Sequence, residues 1–291
     1  MIANRRFSNS INAVRKVLVH HMPRRYFSKW LLHWSRTRLP GPLARMQNEW
    51  FARLTHIDVS EAEWTPAQYP TLNAFFTRKL RVDARPIDAD PRTAVFPCDG
   101  HLGAFGPIEG TTLVQAKGID YEIRHLLMDE TWAKRFENGH FFTIYLSPRD
   151  YHRVHFPLSG RVLHIHHIPG HAGTSYPVGP WSVANIHRLY CRNERMVTYI
   201  QTLAGFVAVV MVAAAGVGNM TLSFGTADVS AEDRIRDFAH DLDVVVEKGD
   251  ECGIFHLGST VVLLFERFLW QFEPMEVGQS VRMGRPMGKI Q

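Results

Sequence analysis

Cysteine is scarce in this chain. Its 291 residues hold three, Cys98, Cys191 and Cys252, far apart and without a Cys-x-x-Cys pair. An odd, scattered set argues against a disulfide framework and for a reducing compartment. Long apolar runs are also missing. The most apolar one, Phe206 to Gly218, covers about half to two-thirds of what a bilayer-spanning helix needs, and its valines suit a core strand. A cleaved signal peptide is not expected for the same reason, although the Arg-rich, acid-poor start shares features with a mitochondrial transit peptide. No phosphate-binding glycine loop or Rossmann fingerprint occurs, and the Gly-x-Ser-x-Gly elbow of many serine hydrolases is absent. Neither internal repeats nor low-complexity segments are visible.

Acidic residues are missing from one place. The first 45 residues hold ten Lys or Arg and no Asp or Glu, so the net charge of +5 divides into +10 there and −5 over the rest. Such a segment seeks an anionic partner, nucleic acid or a lipid surface. Its apolar residues favour lipid. Ile11, Val14, Val17 and Leu18 follow helical spacing, and Tyr26, Trp30 and Trp34 recur every fourth residue. A basic amphipathic helix with Trp and Tyr fits a membrane interface. Packing of a helical hairpin on the body, basic face in solvent, is compatible with it.

The rest is an ordinary globular composition, 45% hydrophobic and 21% charged, long enough for one large domain or two unequal ones. Residues 46–80 read as helical, most clearly over 71–80. From Val95-Phe-Pro-Cys-Asp-Gly100 onward the pattern turns to strands: 141–146 buried, 161–168 alternating, 206–218 apolar, 261–265 apolar, and two short strands over 277–290. The expected class is α+β, N-terminal helices followed by a mainly antiparallel β core.

Three stretches could carry chemistry. In Leu257-Gly-Ser-Thr260, Ser259 stands between a permissive glycine and a buried strand. With a base to take its proton, the hydroxyl can attack the Gly258 carbonyl and convert the amide to an ester. β-Elimination then cuts the chain and leaves a dehydroalanine, which hydrolyses to a pyruvoyl ketone. Gly-Ser-Thr is also a common turn. Tyr145-Leu-Ser-Pro-Arg-Asp-Tyr-His-Arg-Val-His155 offers His152 and His155 as bases, or merely a surface turn. Asp99, before Gly100, is a turn residue or the orienter of a nucleophile–base set with Ser259. His164, His166, His167 and His171 cluster in sequence, but strand alternation sends His167 away from His164 and His166, and no metal site is expected.

Together these stretches resemble the bacterial phosphatidylserine decarboxylase proenzyme family. The resemblance runs over roughly residues 65–290. It is carried by Phe75-Phe-Thr-Arg-Lys-Leu-Arg81 with Arg85-Pro-Ile87, Pro97-Cys-Asp-Gly100, Gln115-Ala-Lys-Gly118, Asn193-Glu-Arg195, the string from Tyr145 to His155, and Leu257-Gly-Ser-Thr260. It implies self-cleavage between Gly258 and Ser259 into a large chain, 1–258, and a small chain, 259–291, with Ser259 becoming a covalent pyruvoyl group. Asp99 and His155 would complete the charge relay for cleavage, and His152 would be the proton donor beside the substrate. The pyruvoyl ketone would form a Schiff base with the substrate amine, replacing pyridoxal phosphate as electron sink and turning phosphatidylserine into phosphatidylethanolamine and carbon dioxide. Residues 1–64 would be a membrane-association region and 65–291 the catalytic domain, at the cytoplasmic face of the cell membrane. Expected partners are phosphatidylserine, an anionic membrane and the other chain of the cut proenzyme. A homodimer stays open, and nucleic acid is not expected. Two alternatives remain: a pyruvoyl decarboxylase of another amino-acid-like substrate, and a Ser-His-Asp hydrolase with intact Ser259.

Overall fold

Ser259–Phe265 forms a strand with every residue buried. In the computed structural model, which describes residues 24–116, 119–171, 175–215, 220–224, 238–256 and 258–291, that strand lies inside an eight-stranded antiparallel sheet. Along the chain the strands are β1 (Thr93–Val95), β2 (Gly100–Pro107), β3 (Thr112–Ala116), β4 (Ile119–Glu122), β5 (His140–Leu146), β6 (Arg153–His155), β7 (Gly160–Ile168) and β8 (Arg195–Thr202). They continue as β9 (Gly205–Ala213), β10 (Met220–Leu222), β11 (Phe238–Val246), β12 (Glu251–Phe255), β13 (Ser259–Phe265), β14 (Trp270–Phe272), β15 (Ser280–Val281) and β16 (Pro286–Ile290). The large sheet has the order β11-β7-β8-β9-β13-β5-β2-β15, and β1-β16-β14 and β10-β12-β6 form two three-stranded sheets. The α+β reading holds.

The apolar runs of β9 and β13 follow from burial on both faces. Val207, Val209, Met211 and Ala213 join Val261, Leu263 and Phe265 in one core, with Val154, Phe255 and Met287 from the small sheets. Ala208, Val210 and Val212 join Val262 and Leu264 in a second core, under the helices Ile123–Leu127, Glu130–Arg135 and Leu189–Arg192. A strand lying between two cores has no polar face, so its sequence does not alternate.

The helical reading of 46–80 is too long. The helix Gly41–Thr55 stops at His56, which adopts a left-handed conformation. Two 3₁₀ turns follow, Val59–Glu61 and Pro66–Gln68, and only Leu72–Phe76 of the 71–80 segment is helical. Pro66 and Pro70 cannot continue a helix, and Asp58, Thr65 and Thr71 each cap a fresh turn instead. Beyond Thr77 the backbone leaves the helix, and Leu80 bridges to Ala62.

The helix Gly41–Thr55 turns its small side inward. Ala44, Asn48 and Ala52 are buried, whereas Leu43, Met46, Trp50 and Leu54 stand exposed along the opposite face. The preceding helix, Arg24–Arg36, exposes Tyr26, Trp30 and Trp34, the two Trp rings stacked at 6.2 Å. The stripe Ile11 to Leu18 lies outside the described residues. No helix among the described residues is long and apolar enough to cross a membrane.

Candidate active site

Ser259 opens β13 directly after Gly258, whose φ of +50° lies in the left-handed region that glycine occupies without steric cost. Its neighbours across the sheet are Leu146 on β5 and Ala213 on β9. Alternation puts Ser259 on the face of Val261 and Leu263, toward the layer that holds β6 and β12. The side chain is 1% exposed, and its Oγ has no hydrogen-bond partner. A buried, unpaired hydroxyl costs about 1–3 kcal/mol. Ala213 is fixed in turn by Asn193 and Glu194. Asn193 Nδ2 donates to the Ala213 carbonyl (2.8 Å), and Ala213 N donates to the Glu194 carbonyl (2.9 Å). Arg195, fully buried, donates to the carbonyls of His125, Leu126, Cys191 and Asn193 and ties this corner to two helices.

His155 lies on β6, next to β12. Its Nδ1 donates to the Gly249 carbonyl at 2.8 Å, which leaves the lone pair on Nε2. The Tyr151 hydroxyl donates to that nitrogen at 3.1 Å, its ring stacked on the imidazole. Burial pushes the His155 pKa below the ordinary value, so the ring is a neutral base. Val154 faces the large core, so alternation turns His155 to the other side of its strand, where Tyr151 and Gly249 meet it.

Asp99 sits near His155, whose backbone N donates to the Pro97 carbonyl at 2.7 Å. Its carboxylate is committed elsewhere. Arg85 grips it through Nε (2.9 and 3.1 Å) and Nη2 (2.5 Å), and Met283 N donates to Oδ1 at 2.9 Å. Glu61 joins the cluster, accepting from Arg85 and from Arg282. At Gly100 a side chain would collide with Tyr145 O at 2.5 Å, so the residue after Asp99 must lack one for β2 to lie against β5.

His152 is fully buried, against the Phe76 ring at 3.9 Å between centroids. Burial, reinforced by Arg78, pushes its pKa down to about 3. Nδ1 donates to the Asp150 carbonyl (2.9 Å), and Nε2 has no partner. In this state His152 is a proton acceptor, and donation from Nε2 requires it first to take up a proton.

Ser259 thus faces the layer that holds β6 and β12, and Asp99 lies near His155, but no hydrogen bond joins Ser259 to either histidine or His155 to Asp99, and His155 is turned to the side of β6 away from the core face that Ser259 shares. Sequence reasoning gave no separate role to Arg78, Arg85, Tyr151 or Gly249. The first three lie within the family-like strings, whereas nothing in the sequence marks the Gly249 carbonyl, a backbone atom brought in by the β12 approach. Of the histidine cluster, His164 bonds Asp241 (2.6 Å) and His167 bonds Glu194 (3.1 Å).

A family model described as phosphatidylserine decarboxylase matches residues 72–289, which include all four of these residues. The chain belongs to the phosphatidylserine decarboxylase family. It is 42% identical to the phosphatidylserine decarboxylase proenzyme of Halorhodospira halophila over 272 residues, 92% of this chain and 91% of that one. It is 40% identical to the proenzyme of that name from Myxococcus xanthus over 258 residues, 88% and 91% of the two chains. A third relative, from Coxiella burnetii strain RSA 493, is 39% identical over 257 residues, 87% and 90%. Within this family the term proenzyme implies self-processing, and β13 begins at the one Leu-Gly-Ser-Thr string of the chain.

Proposed function

We propose that the chain is a self-processing phosphatidylserine decarboxylase that cuts itself between Gly258 and Ser259 and works through a pyruvoyl group made from Ser259. The observation that carries this reading is the buried, unpartnered Ser259 Oγ one residue after a left-handed glycine, in a chain about 40% identical to proenzymes of that name. The residues fit the group, because a hydroxyl next to a conformationally permissive peptide bond is what an N-to-O acyl shift requires. Oγ attacks the Gly258 carbonyl carbon, and the peptide nitrogen leaves as an amine. Loss of the Ser259 α-proton then expels the Gly258 carboxylate and leaves a dehydroalanine. Water enters, ammonia departs, and a ketone remains at the head of 259–291. That ketone supplies the electron sink for loss of carbon dioxide from an amino acid headgroup.

His155 is assigned as the base for Ser259. Its Nε2 carries the lone pair, and acting on Ser259 requires it to leave the Tyr151 hydroxyl and turn toward the core face that Ser259 shares. Asp99 supports the site electrostatically while it fastens Arg85 and Met283. His152 is assigned as the proton carrier to the substrate carbon, collecting the proton at Nε2. Residues 1–64 are assigned to membrane association and 65–291 to the catalytic domain. The exposed stripe of Leu43, Met46, Trp50 and Leu54, together with the basic charge around it, suits the headgroup boundary of an anionic membrane at the cytoplasmic face.

Intact mass spectrometry of the purified protein tests the reading. Two chains, 1–258 and 259–291, the smaller beginning with pyruvoyl, are expected. Ser259→Ala should give one uncut chain without decarboxylase activity. An uncut wild-type chain that still decarboxylates phosphatidylserine would refute the pyruvoyl assignment, and one that hydrolyses esters would favour the hydrolase.

A further inference from the structure

A cavity of about 250 Å³ lies beside Asp99 and Asp150, and its wall includes His56, the residue that ends the apolar-striped helix Gly41–Thr55. Four arginines and four carboxylates line it, and among the described residues every carboxylate already has a partner. Asp99 is held by Arg85, Glu61 by Arg85 and Arg282, Asp58 by Ser60, and Asp150 by Ser147 and Arg149. Arg78 is different. It is 4% exposed, no carboxylate pairs with it, and only its Nη2 is bonded, to the carbonyls of Arg149 (3.0 Å) and Asp150 (3.3 Å). Its Nε and Nη1 are buried without a partner. A buried guanidinium without a contacting carboxylate is costly; Asp99, Asp150 and Glu61 favour its charge only from a distance, and an anion arriving from outside removes the remaining cost. Burial also pulls its pKa below the ordinary arginine range.

We propose that Arg78 is the receptor for the phosphodiester of the lipid headgroup. The inference rests on phosphatidylserine as the substrate. Position supports it. Arg78 Nη2 and His152 Nδ1 donate to the same Asp150 carbonyl, so the guanidinium stands next to the assigned proton carrier. Phe255, on the strand that leads to the cleavage site, donates its N–H to the His152 carbonyl at 3.0 Å. The cavity is smaller than the roughly 300–1,000 Å³ of pockets that enclose drug-sized ligands. It holds a headgroup and leaves the acyl chains outside, on the side of the exposed helix.

Two anionic groups of the substrate compete for Arg78, and the chemistry decides between them. The carboxylate loses its charge as carbon dioxide departs, so a guanidinium bound to it would stabilise the ground state more than the transition state and slow the reaction. The phosphodiester keeps its charge throughout. Binding it is uniform along the reaction, and its loss appears in KM rather than kcat. The unpartnered Nε and Nη1 of the planar guanidinium each offer a charge-assisted donor to a phosphate oxygen.

The test uses full-length protein carrying Arg78→Gln or Arg78→Lys. Both variants are expected to self-cleave like the wild type. With phosphatidylserine in mixed micelles, KM should rise about tenfold or more for Gln and less for Lys, with kcat within about twofold. Calorimetric titration of the cut protein with inorganic phosphate should show binding that Arg78→Gln weakens by a similar factor, a readout independent of activity. A rise in kcat alongside the rise in KM would overturn the phosphodiester assignment in favour of the carboxylate, and a fall in kcat at unchanged KM would overturn it in favour of a role at the reacting centre. Failure of both variants to self-cleave would overturn it in favour of a purely structural arginine. Lost phosphate binding with an unchanged KM would make the site one for free phosphate, not for the headgroup. A cut wild-type protein that ignores phosphatidylserine but binds phosphate through Arg78 would fail the substrate reading alone.

Discussion

A neutral imidazole in a buried site is defined by what its two nitrogens touch. At His155 the Gly249 carbonyl fixes the proton on Nδ1, and the Tyr151 hydroxyl rests on the lone pair of Nε2. Glu251, Arg153 and Asp99 supply the charges around the ring, and Arg85 those around Tyr151. Because burial lowers its pKa, His155 stays unprotonated below the ordinary histidine value of 6.5, and self-cleavage should persist into that acidic range. The phenol donates to the neutral ring and so stabilises it. Tyr151→Phe should raise the His155 pKa and move the acid limb of cleavage upward by about half to one pH unit, the equivalent of one ordinary hydrogen bond. Pulse–chase cleavage of freshly translated proenzyme between pH 5 and 8 measures the limb. His155→Ala should slow cleavage at every pH, and wild-type speed in that variant would remove His155 as the base. His152 gives a stability prediction. Its folded pKa, about 3, lies below the unfolded value of 6.5, so the unfolded chain takes up a proton that the folded chain refuses. Its contribution is complete above about pH 6.5 and is lost as pH falls toward 3, at about 1.4 kcal/mol per pH unit for one proton. His152→Gln should flatten that part of the curve of unfolding free energy against pH. An unchanged slope would mean that His152 is protonated in the native state.

At the scale of elements, the cleavage point is where Gly258 meets a strand that cannot shift. β13 is bonded on both sides, to β9 and to β5, over its whole length. Any adjustment at the join therefore falls on Gly258 rather than on the strand. Gly258 stands at φ +50°, and alanine there costs about 1–2 kcal/mol. Gly258→Ala should lower the unfolding free energy by about that amount and slow cleavage, since relief of the strain moves the carbonyl that Oγ must reach. Equal cleavage rates for Gly258→Ala and wild type in the pulse–chase assay would show that this conformation has no part in the reaction.

Over the whole molecule, the segment 259–291 is woven into the protein it would be cut from. It contributes β13 to the middle of the large sheet, β15 to its edge beside β2, and β14 and β16 to the sheet containing β1. Asp99 adds a clasp through Met283 N–H, and Glu61 another through Arg282. Cutting one peptide bond leaves all these contacts standing. The other large-scale feature is the inverted helix Gly41–Thr55, with small residues inside and large apolar ones outside. Replacing Trp50 and Leu54 with Ser should weaken binding to anionic vesicles at least tenfold, because on the proposed membrane each would bury apolar surface worth roughly 1.5–3 kcal/mol. Thermal stability should stay within a few degrees, since neither side chain is in the core. Removing residues 1–45 should weaken binding as well and flatten its salt dependence. Vesicle sedimentation separates the two contributions, and unchanged binding by both variants would return these helices to a packing role.

The sequence by itself determined the elements whose signal is local. The apolar runs at 206–218 and 261–265 read as core strands, and β9 and β13 are buried there between two cores; the Trp and Tyr spacing marked an exposed helical face without any knowledge of its neighbours. The candidate residues were legible too, because long strings around Asp99, His152, His155 and Ser259 carry the family resemblance. Helix length at 71–80 was not legible, since its end depends on Thr77, whose carbonyl accepts from Arg153 of β6, and on Leu80, which bridges to Ala62. Tertiary structure decided the wiring of the site. Asp99 is taken by Arg85 and Met283, His155 by Gly249 and Tyr151, and Arg78 is left with two free donors. Each of these depends on which groups lie within about 3 Å after the chain has packed. Hydrogen bonds and burial are short-range in space and blind to sequence distance, so no periodicity or motif could have revealed them.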